Sequence, residues 1–579
     1  MKRIVLHALK VLLPAVFLAA NYSPARAQSV PLPLSHWAYG LLDRLEAEHL
    51  LYDFLPNTKP YSRMQVARAL LPFFQGKVPA EKLDRVEREQ LKYLRFELKE
   101  ELEALGVSPA PYRDRNLEFL RFRSPLRYLL PDFILANHRD LFSLQTENLR
   151  LFGDLVLHYH TNSRDYSFRR NRVIRRERHG VQVRGIWGKH LQFYFHFRDG
   201  TEWGGSYPRD NSAWSFEGVG YANAKGSLVY FDETNSGVFF GGGHWQIGVG
   251  KQRNRWGPGR FGALALSDRA TSYDQVQLQA AWHRLRFTAF TGFLKIYPPI
   301  AALEYDTGYS HRLVHANRYL AAHRLEFEPV RWLILGLHET LIYGERNLEL
   351  AYLNPINFYW SAEHYLGDQD NSAIGADFTL YPGGKFKFYG ELFLDDLRTG
   401  RAGSDFYGNK WAYLLGFSRF DLFGLPELDV HGEFVRIRPF VYSHRFPINV
   451  YKQFTTGLGH WAGPNSQTLT LAAEWRPRRR LLFSLKWERW EHGANSPERN
   501  VGGNFNLPHR PEDPLNVPLL AGIRERRRTV AAEIQLELFR NAYLKWMVAG
   551  HNLRNWPDGS GRRASGRLFE WQFGFSWNE

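Results

Sequence analysis

From about residue 145 onward, apolar and polar residues alternate with period two. In 191–198, Leu191, Phe193, Phe195 and Phe197 face one way, and Gln192, Tyr194, His196 and Arg198 the other. The stretch 386–396 sets Phe386, Phe388, Leu392 and Leu394 against Lys387, Tyr389, Glu391 and Asp395. Leu469, Leu471 and Trp475 oppose Thr470 and Glu474, and Phe483, Leu485 and Trp487 oppose Ser484, Lys486 and Glu488. The chain closes with Phe569, Trp571, Phe573, Phe575 and Trp577 opposite Glu570, Gln572 and Ser576. Period two is the signature of strands. A soluble sandwich alternates too, but its apolar face points into a shared core. Aromatic faces recurring along all of 145–579, with charged partners opposite, suit lipid outside and a polar lumen inside. At roughly 24 residues per strand with half its loops, this region predicts about 18 strands. Gly/Pro-rich stretches at 200–226, 401–410 and 492–520 fit extracellular loops.

Before this region the period is helical. Trp37, Leu41, Leu42, Leu45 and Leu50 mark one helix with Ser35 as its expected N-cap. Pro60 and Ser62 start a second. Leu83, Val86, Leu91, Leu94, Leu98, Leu102 and Leu105 predict one long amphipathic helix that Gly106 ends. The order His36-Trp37-Ala38, a leucine-rich helix, then Tyr61-Ser62-Arg63 resembles a surface-layer-homology module, with Gln65 where such modules carry an acid. The resemblance implies contact with cell-wall polymer, whereas the leucine spacing by itself predicts a small packed helical domain.

Composition changes the picture in three ways. The absence of cysteine excludes disulfides and thiolate metal sites. Lys2 and Arg3, the apolar run 11–20 and Ala25-Arg26-Ala27 read as a secretory signal peptide over 1–27. No later run of apolar residues is long enough for a membrane helix, so an exported chain of this pattern is expected to cross the outer membrane with strands. The expected fold is therefore mainly β: a large antiparallel transmembrane β-barrel at 145–579 behind a small periplasmic α-helical region at 28–110. A linker or plug segment is expected at 111–144.

Three constellations carry candidate chemistry. In 251–262, KQRNRWGPGRFG, Lys251, Arg253 and Arg255 would share one parity of a strand, with Trp256 at the Gly257-Pro258-Gly259 turn. Arginine offers a planar fork for carboxylates, phosphates or hydroxyls, and tryptophan a face for a sugar ring. The competing reading is an arginine network that holds a loop inside the barrel. The second constellation, 318–364, brings His323, Arg324, Glu339 and Tyr343 into one hairpin region. The third, 366–377, carries Asp368, Asp370, Asn371 and Asp377, without the closing Glu of a calcium loop. An Asp/Asn turn is the expected reading, with no metal. The arginines of 169–178 are expected at a strand end beside lipid phosphates or on a solvated hairpin. No G-x-S-x-G or H-E-x-x-H occurs, and Asp395 and Asp396, being adjacent, point to opposite faces of a strand.

The blocks "NRWGPG", "RYLAAHRLEF", "AYLNPINF" and "GDQDN", set among aromatic strands, resemble the capsule assembly protein Wzi family. That resemblance implies a non-catalytic, lectin-like outer-membrane barrel that retains capsular or another surface polysaccharide. Arg253, Arg255, Trp256, His323, Arg324, Glu339, Tyr343, Asp368 and Asn371 are then the candidate binding residues, and no cofactor is expected. The expected partners are polysaccharide, outer-membrane lipid and lipopolysaccharide, and peptidoglycan through the N-terminal helices; nucleic acid is not among them. A carbohydrate-selective passive porin is the alternative reading, and a barrel enzyme acting on lipid or glycan a third.

Overall fold

The computed structural model describes residues 29–51, 53–108, 139–168, 172–204, 222–226, 228–557 and 562–579. The signal segment, most of 111–144, and Arg169 and Arg170 lie outside the described residues. Eighteen antiparallel strands close into a barrel. They are β1 Leu149–Tyr166, β2 Arg172–Trp187, β3 Leu191–Trp203, β4 Leu228–Gly241, β5 Trp245–Gln252, β6 Tyr273–Trp282, β7 Leu285–Phe293, β8 Arg318–Val330 and β9 Leu333–Gly344. The second half runs β10 Asn371–Gly383, β11 Phe386–Asp396, β12 Lys410–Arg419, β13 Leu428–Ile437, β14 Ser466–Arg478, β15 Leu481–Ala494, β16 Ile523–Phe539, β17 Ala542–Pro557 and β18 Arg563–Trp577. Each strand pairs with its neighbour in sequence, and β18 closes on β1 with Phe573 opposite Thr161. Closure leaves none of these eighteen strands at an edge.

The period-two pattern sorts as the sequence predicts. On β11, Lys387, Tyr389, Glu391 and Asp395 are buried toward the lumen, while Phe386, Phe388 and Leu392 are exposed outside. Leu469, Leu471 and Trp475 on β14 and Phe569 and Phe573 on β18 likewise face out. One end of the barrel has short turns, such as Gly188 to His190 between β2 and β3. The other end has long loops, such as 345–370 and 438–465.

The helical segment closes the short-turn end. It forms α1 (Ala38–Ala47), α2 (Arg63–Phe74), α3 (Arg85–Glu97) and α4 (Lys99–Ala104). Trp37 rather than Ser35 stands at the N-cap of the first helix, with no side-chain cap bond. Ser62 does cap α2, accepting from the Gln65 amide at 3.1 Å. The single long helix expected over 80–105 is divided: α3 starts after Asp84, and Leu98 lies between α3 and α4 with ψ of 24°. The break lets Glu97 and Glu100 reach different arginines of the surroundings. Glu97 pairs with His36 at 3.0 Å and with Arg540 of the β16–β17 turn at 3.4 Å, while Glu100 meets Arg139 and, at 3.4 Å, Arg184 of β2.

Other turns are tied the same way. Arg44 of α1 donates to Asp421 at 2.7 Å and Asp429 at 3.1 Å, and Lys387 reaches Asp43 at 2.5 Å. The residues of the surface-layer-like motif are spent inside this plug. Trp37 stacks on Tyr93 at 5.6 Å, Tyr61 is 2% exposed, and Arg63 pairs with Glu101 at 3.0 Å.

These ion pairs make the plug acid-sensitive. Burial alone would raise the Glu100 carboxyl, but the guanidinium groups of Arg184 and Arg139 outweigh it and hold it down at about 2. A carboxyl whose folded pKa lies below its unfolded value gives stability that is full above about 4.5 and lost as pH falls toward 2. Hydrogen-exchange protection in α3 and α4, taken relative to the intrinsic amide rate at each pH, is therefore expected to fall between these pH values while the barrel amides stay protected. Unchanged protection of α4 at pH 2 would refute the ion-pair account.

Candidate functional site

At Gln252 the chain leaves the wall. Arg255 and Trp256 turn into the lumen and pair with Thr58 and Lys59 of the helical segment, Trp256 opposite Thr58. Arg253 and Arg255 therefore do not share a strand face as the alternation suggested. The side chain of Asn254 fixes the departure, donating to Gln275 at 2.7 Å and to Tyr273 at 3.0 Å. Three carboxylates on the inner wall then grip the turn. Glu391 accepts from the amides of Gly259 at 3.0 Å and Leu264 at 2.8 Å. Glu433 accepts from the amides of Arg260 at 2.7 Å and Phe261 at 3.3 Å, and Glu474 takes both 2.7 Å bonds of the Arg260 guanidinium. Gly257 has φ of 114°, and a Cβ there would collide with the Glu391 carboxylate, so this position requires glycine.

Arg255 folds over its own turn, donating to the carbonyls of Gly259 at 2.7 Å and Arg260 at 3.0 Å and facing Asp268 at 3.5 Å. Trp256 is 1% exposed, with its ring edge-on to Phe290 at 5.5 Å and near His338 at 6.1 Å. It offers no open face to a sugar. Around it lies an apolar core inside the barrel, with Leu264, Leu266, Leu320, Ile342, Phe393, Leu414 and Val435. The lumen is thus not uniformly polar. A third layer descends from the long-loop end: Tyr442 donates to the Leu264 carbonyl at 2.7 Å, and Trp461 to that of Phe261 at 3.1 Å.

The second constellation divides between the two faces of the wall. Arg324 is fully buried toward the lumen, where it donates to Asp377 at 2.5 and 3.0 Å and to Thr58 at 2.9 Å. Its neighbour His323 faces outward and meets Glu339 at 3.2 Å. There the 345–370 loop folds back over the outside of the wall as α5 (Leu350–Leu353) and α6 (Tyr359–Tyr365). Glu339 accepts from the amides of Tyr359 at 2.8 Å and Trp360 at 2.6 Å, and Tyr343 packs on Tyr352 at 5.0 Å. His323, Glu339 and Tyr343 seat this loop, while Arg324 seats the plug.

The third constellation also disperses. Asp370 binds Arg346 and Tyr352, Asp377 binds Arg324, and Asn371 donates to the Asn449 carbonyl at 2.8 Å. Asp368 is exposed at the long-loop end, where its carbonyl accepts from Arg445. Asp395 and Asp396 do part as expected, Asp395 inward to the Tyr442 amide at 2.7 Å.

The plug and the inward loop do not fill the whole lumen. A cavity of about 360 Å³ lies between residues 30–36 and the wall formed by β1 to β5. Tyr194, His196, Arg198, Asn235, Arg253 and Asp268 are among its lining. Arg253 holds Glu233 at 3.1 Å and Arg198 stands 3.7 Å from the same carboxylate. The cavity thus presents aromatic edges, guanidinium groups and an amide. Glu433 and Asn57 escaped the sequence reading because their partners lie far away in the chain.

Fold and site together define an outer-membrane β-barrel whose lumen, apart from this cavity, is occupied by its own chain. A family model described as capsule assembly protein Wzi matches residues 192–554, and the chain belongs to that family. Among solved structures it is similar to Wzi of Escherichia coli, described as an outer-membrane, carbohydrate-binding β-barrel involved in group 1 capsule assembly. Identity is 14%, with 95% of this chain and 99% of that one covered at a TM-score of 0.55. OprD of Pseudomonas aeruginosa matches at 11% identity over 74% of this chain and 92% of its own, with a TM-score of 0.40. OccAB4 of Acinetobacter baumannii matches at 10% identity over 75% and 98%, also at 0.40. Comparison with curated protein sequences gave no match.

Replacing Glu391 by alanine strips two buried amides of their acceptor, at a cost of about 1–3 kcal/mol each. The inward turn should loosen while the wall survives. In planar bilayers, Glu391→Ala is expected to show openings that the parent protein lacks. Equal conductance in the two would show that the turn does not depend on this carboxylate.

Proposed function

We propose that the protein binds and retains a capsular or related surface polysaccharide at the long-loop end of the barrel, without catalysis. On this reading the short-turn end with its helices faces the periplasm. The observation that carries it is the lumen largely occupied by the chain itself: helices, inward turn and the 438–465 loop stack through the interior of a chain that belongs to the Wzi family. A barrel filled in this way serves as a rigid holder better than as a passage, so the porin reading has less support.

The polysaccharide contacts proposed here shift from Trp256 to the exposed long-loop face. Arg445 lies over the exposed Phe446 at 5.0 Å and reaches the carbonyl of Asp368, while the exposed Arg401 covers the buried ring of Phe406 at 4.6 Å. Arg445 beside the exposed Phe446 suits an acidic sugar, the guanidinium for the carboxylate and the ring for the sugar face, and Arg401 adds a second guanidinium. Arg253 stands at the cavity beneath as a second contact, and Arg255, Trp256, Arg324, Glu339, His323, Tyr343 and Asn371 are proposed as the frame that fixes both. Lipid and lipopolysaccharide are proposed to surround the aromatic wall.

Retained surface polysaccharide should be compared in cells with the intact protein, a deletion, and an Arg401→Ala/Arg445→Ala/Phe446→Ala variant. Deletion is expected to release polysaccharide into the medium, and the triple variant to release most of it at normal barrel abundance. If deletion changes nothing, the retention function falls. If deletion releases polysaccharide and the triple variant does not, the function stands and the assigned face is wrong.

A further inference from the structure

Where α1 and α3 of the plug meet the barrel turn 421–427, negative charge exceeds positive. Glu48, Asp84, Glu87, Asp421, Glu427 and Asp429 gather there, against Arg44, Lys385 and Arg476. Arg44 is already committed, its two terminal nitrogens donating to Asp421 and Asp429. Its Nε stands 3.7 Å from Glu87 and 3.6 Å from Glu427, beyond hydrogen-bond distance. Lys385 serves Glu48 and Asp421, and Arg476 approaches Glu427 only to 4.0 Å.

Asp84 and Glu87 form the capping box that starts α3. Asp84 Oδ1 accepts from the Glu87 amide at 2.8 Å, and Glu87 Oε2 from the Asp84 amide at 2.9 Å. Each carboxylate therefore has one oxygen left over. Those two, Asp84 Oδ2 and Glu87 Oε1, are shielded from solvent and accept no hydrogen bond. The barrel supplies a third such oxygen, Oε1 of Glu427, from a residue at φ of 59°. Carboxylate oxygens of the three residues lie within 4.8 Å of one another. Glu87 is 1% exposed and Glu427 5%. Buried carboxylates this close repel one another, and the one guanidinium beside Glu87 and Glu427, that of Arg44, is shared with Asp421 and Asp429. Burial pushes Glu87 and Glu427 each up to about 8, which marks the same unmet need for a counter-charge.

We propose that Asp84, Glu87 and Glu427 bind one divalent cation of the calcium class, which ties the plug helix α3 to the barrel turn before β13. An all-oxygen, all-carboxylate set favours a hard cation over zinc or copper, and water can complete the coordination. The cation would make a cross-link between two elements more than 300 residues apart in the chain, Asp84 and Glu427.

The full chain, purified in detergent and stripped with a chelator, is titrated with calcium chloride by calorimetry. Asp84→Asn, Glu427→Gln and, as a distant control, Glu304→Gln are titrated alongside. Asparagine caps a helix as well as aspartate does, so Asp84→Asn tests the oxygen donor without removing the helix start. One calcium per chain is expected in the parent and in Glu304→Gln, with binding at least tenfold weaker in the other two. Protease protection of α3 should fall on chelation in the parent and be insensitive to chelation in Asp84→Asn. Absence of calcium uptake by the parent, or equal uptake by Asp84→Asn and Glu427→Gln, would overturn the site. No uptake together with protection that grows as pH is lowered through 8 would assign the neutralising charge to protons instead.

Discussion

Filling the inside of an eighteen-stranded barrel depends on carboxylates of the inner wall accepting from backbone amides that enter the lumen. A barrel this wide does not close on its own side chains, and its natural content is water. A chain that enters brings peptide groups that lose water on burial and must find partners. Glu391 and Glu433 meet that need for the 257–264 turn, and Glu326 does so for the Asn57 amide at 2.7 Å. Each carboxyl group is shared among several donors, and Glu326 also stands 3.9 Å from the Arg286 guanidinium. With the amides satisfied, Trp256, Leu264 and Leu266 can build an apolar core where the alternation alone implied a wet lumen.

The wall was legible because its rule is local. Strand residues two apart share a face, and lipid demands apolar side chains on one of them, so Phe386 and Phe388 declare their direction without knowledge of any partner. The same rule, applied strictly, separates His323 from Arg324. Reading them as one cluster overlooked that neighbours on a strand look to opposite sides. The outward face of β8 and β9 was also unusual for lipid, since His323 and Glu339 are polar there. That polarity was the available sign that a loop covers this part of the outside, as α5 and α6 do.

The inward turn was not legible, because the chain departs from the wall on long-range grounds. Nothing in KQRNRWGPGRFG states that Asn254 will find Gln275, or that Thr58 and Lys59 will pair with Arg255 and Trp256. Of the two meanings left open for the stretch, sugar contact and structural network, the geometry matches the network for Arg255 and Trp256. Arg253, at the cavity, keeps an approach to solvent. The helical segment shows a comparable limit. Its leucine spacing located the helices, but the break at Leu98 serves Arg139, Arg184 and Arg540, whose positions no helical period encodes.

A division of labour follows from where the charges sit. Cations on the wall and in the plug are mostly matched by nearby acids, as with Arg324 and Asp377 or Arg260 and Glu474, and such pairs hold parts in place. At the long-loop end Arg346, Arg438 and Arg510 are matched in the same way, but Arg401 and Arg445 lean instead on aromatic rings and stay exposed. A guanidinium over a ring keeps its charge available to an incoming anion while its stem is already ordered, which lowers the entropy cost of binding. Matched charge inside holds the parts of the barrel in place, and on the proposed reading the weakly matched charge outside is what a polysaccharide meets. A polymer held by many such weak contacts on one rigid face is retained by their number rather than by any single pocket.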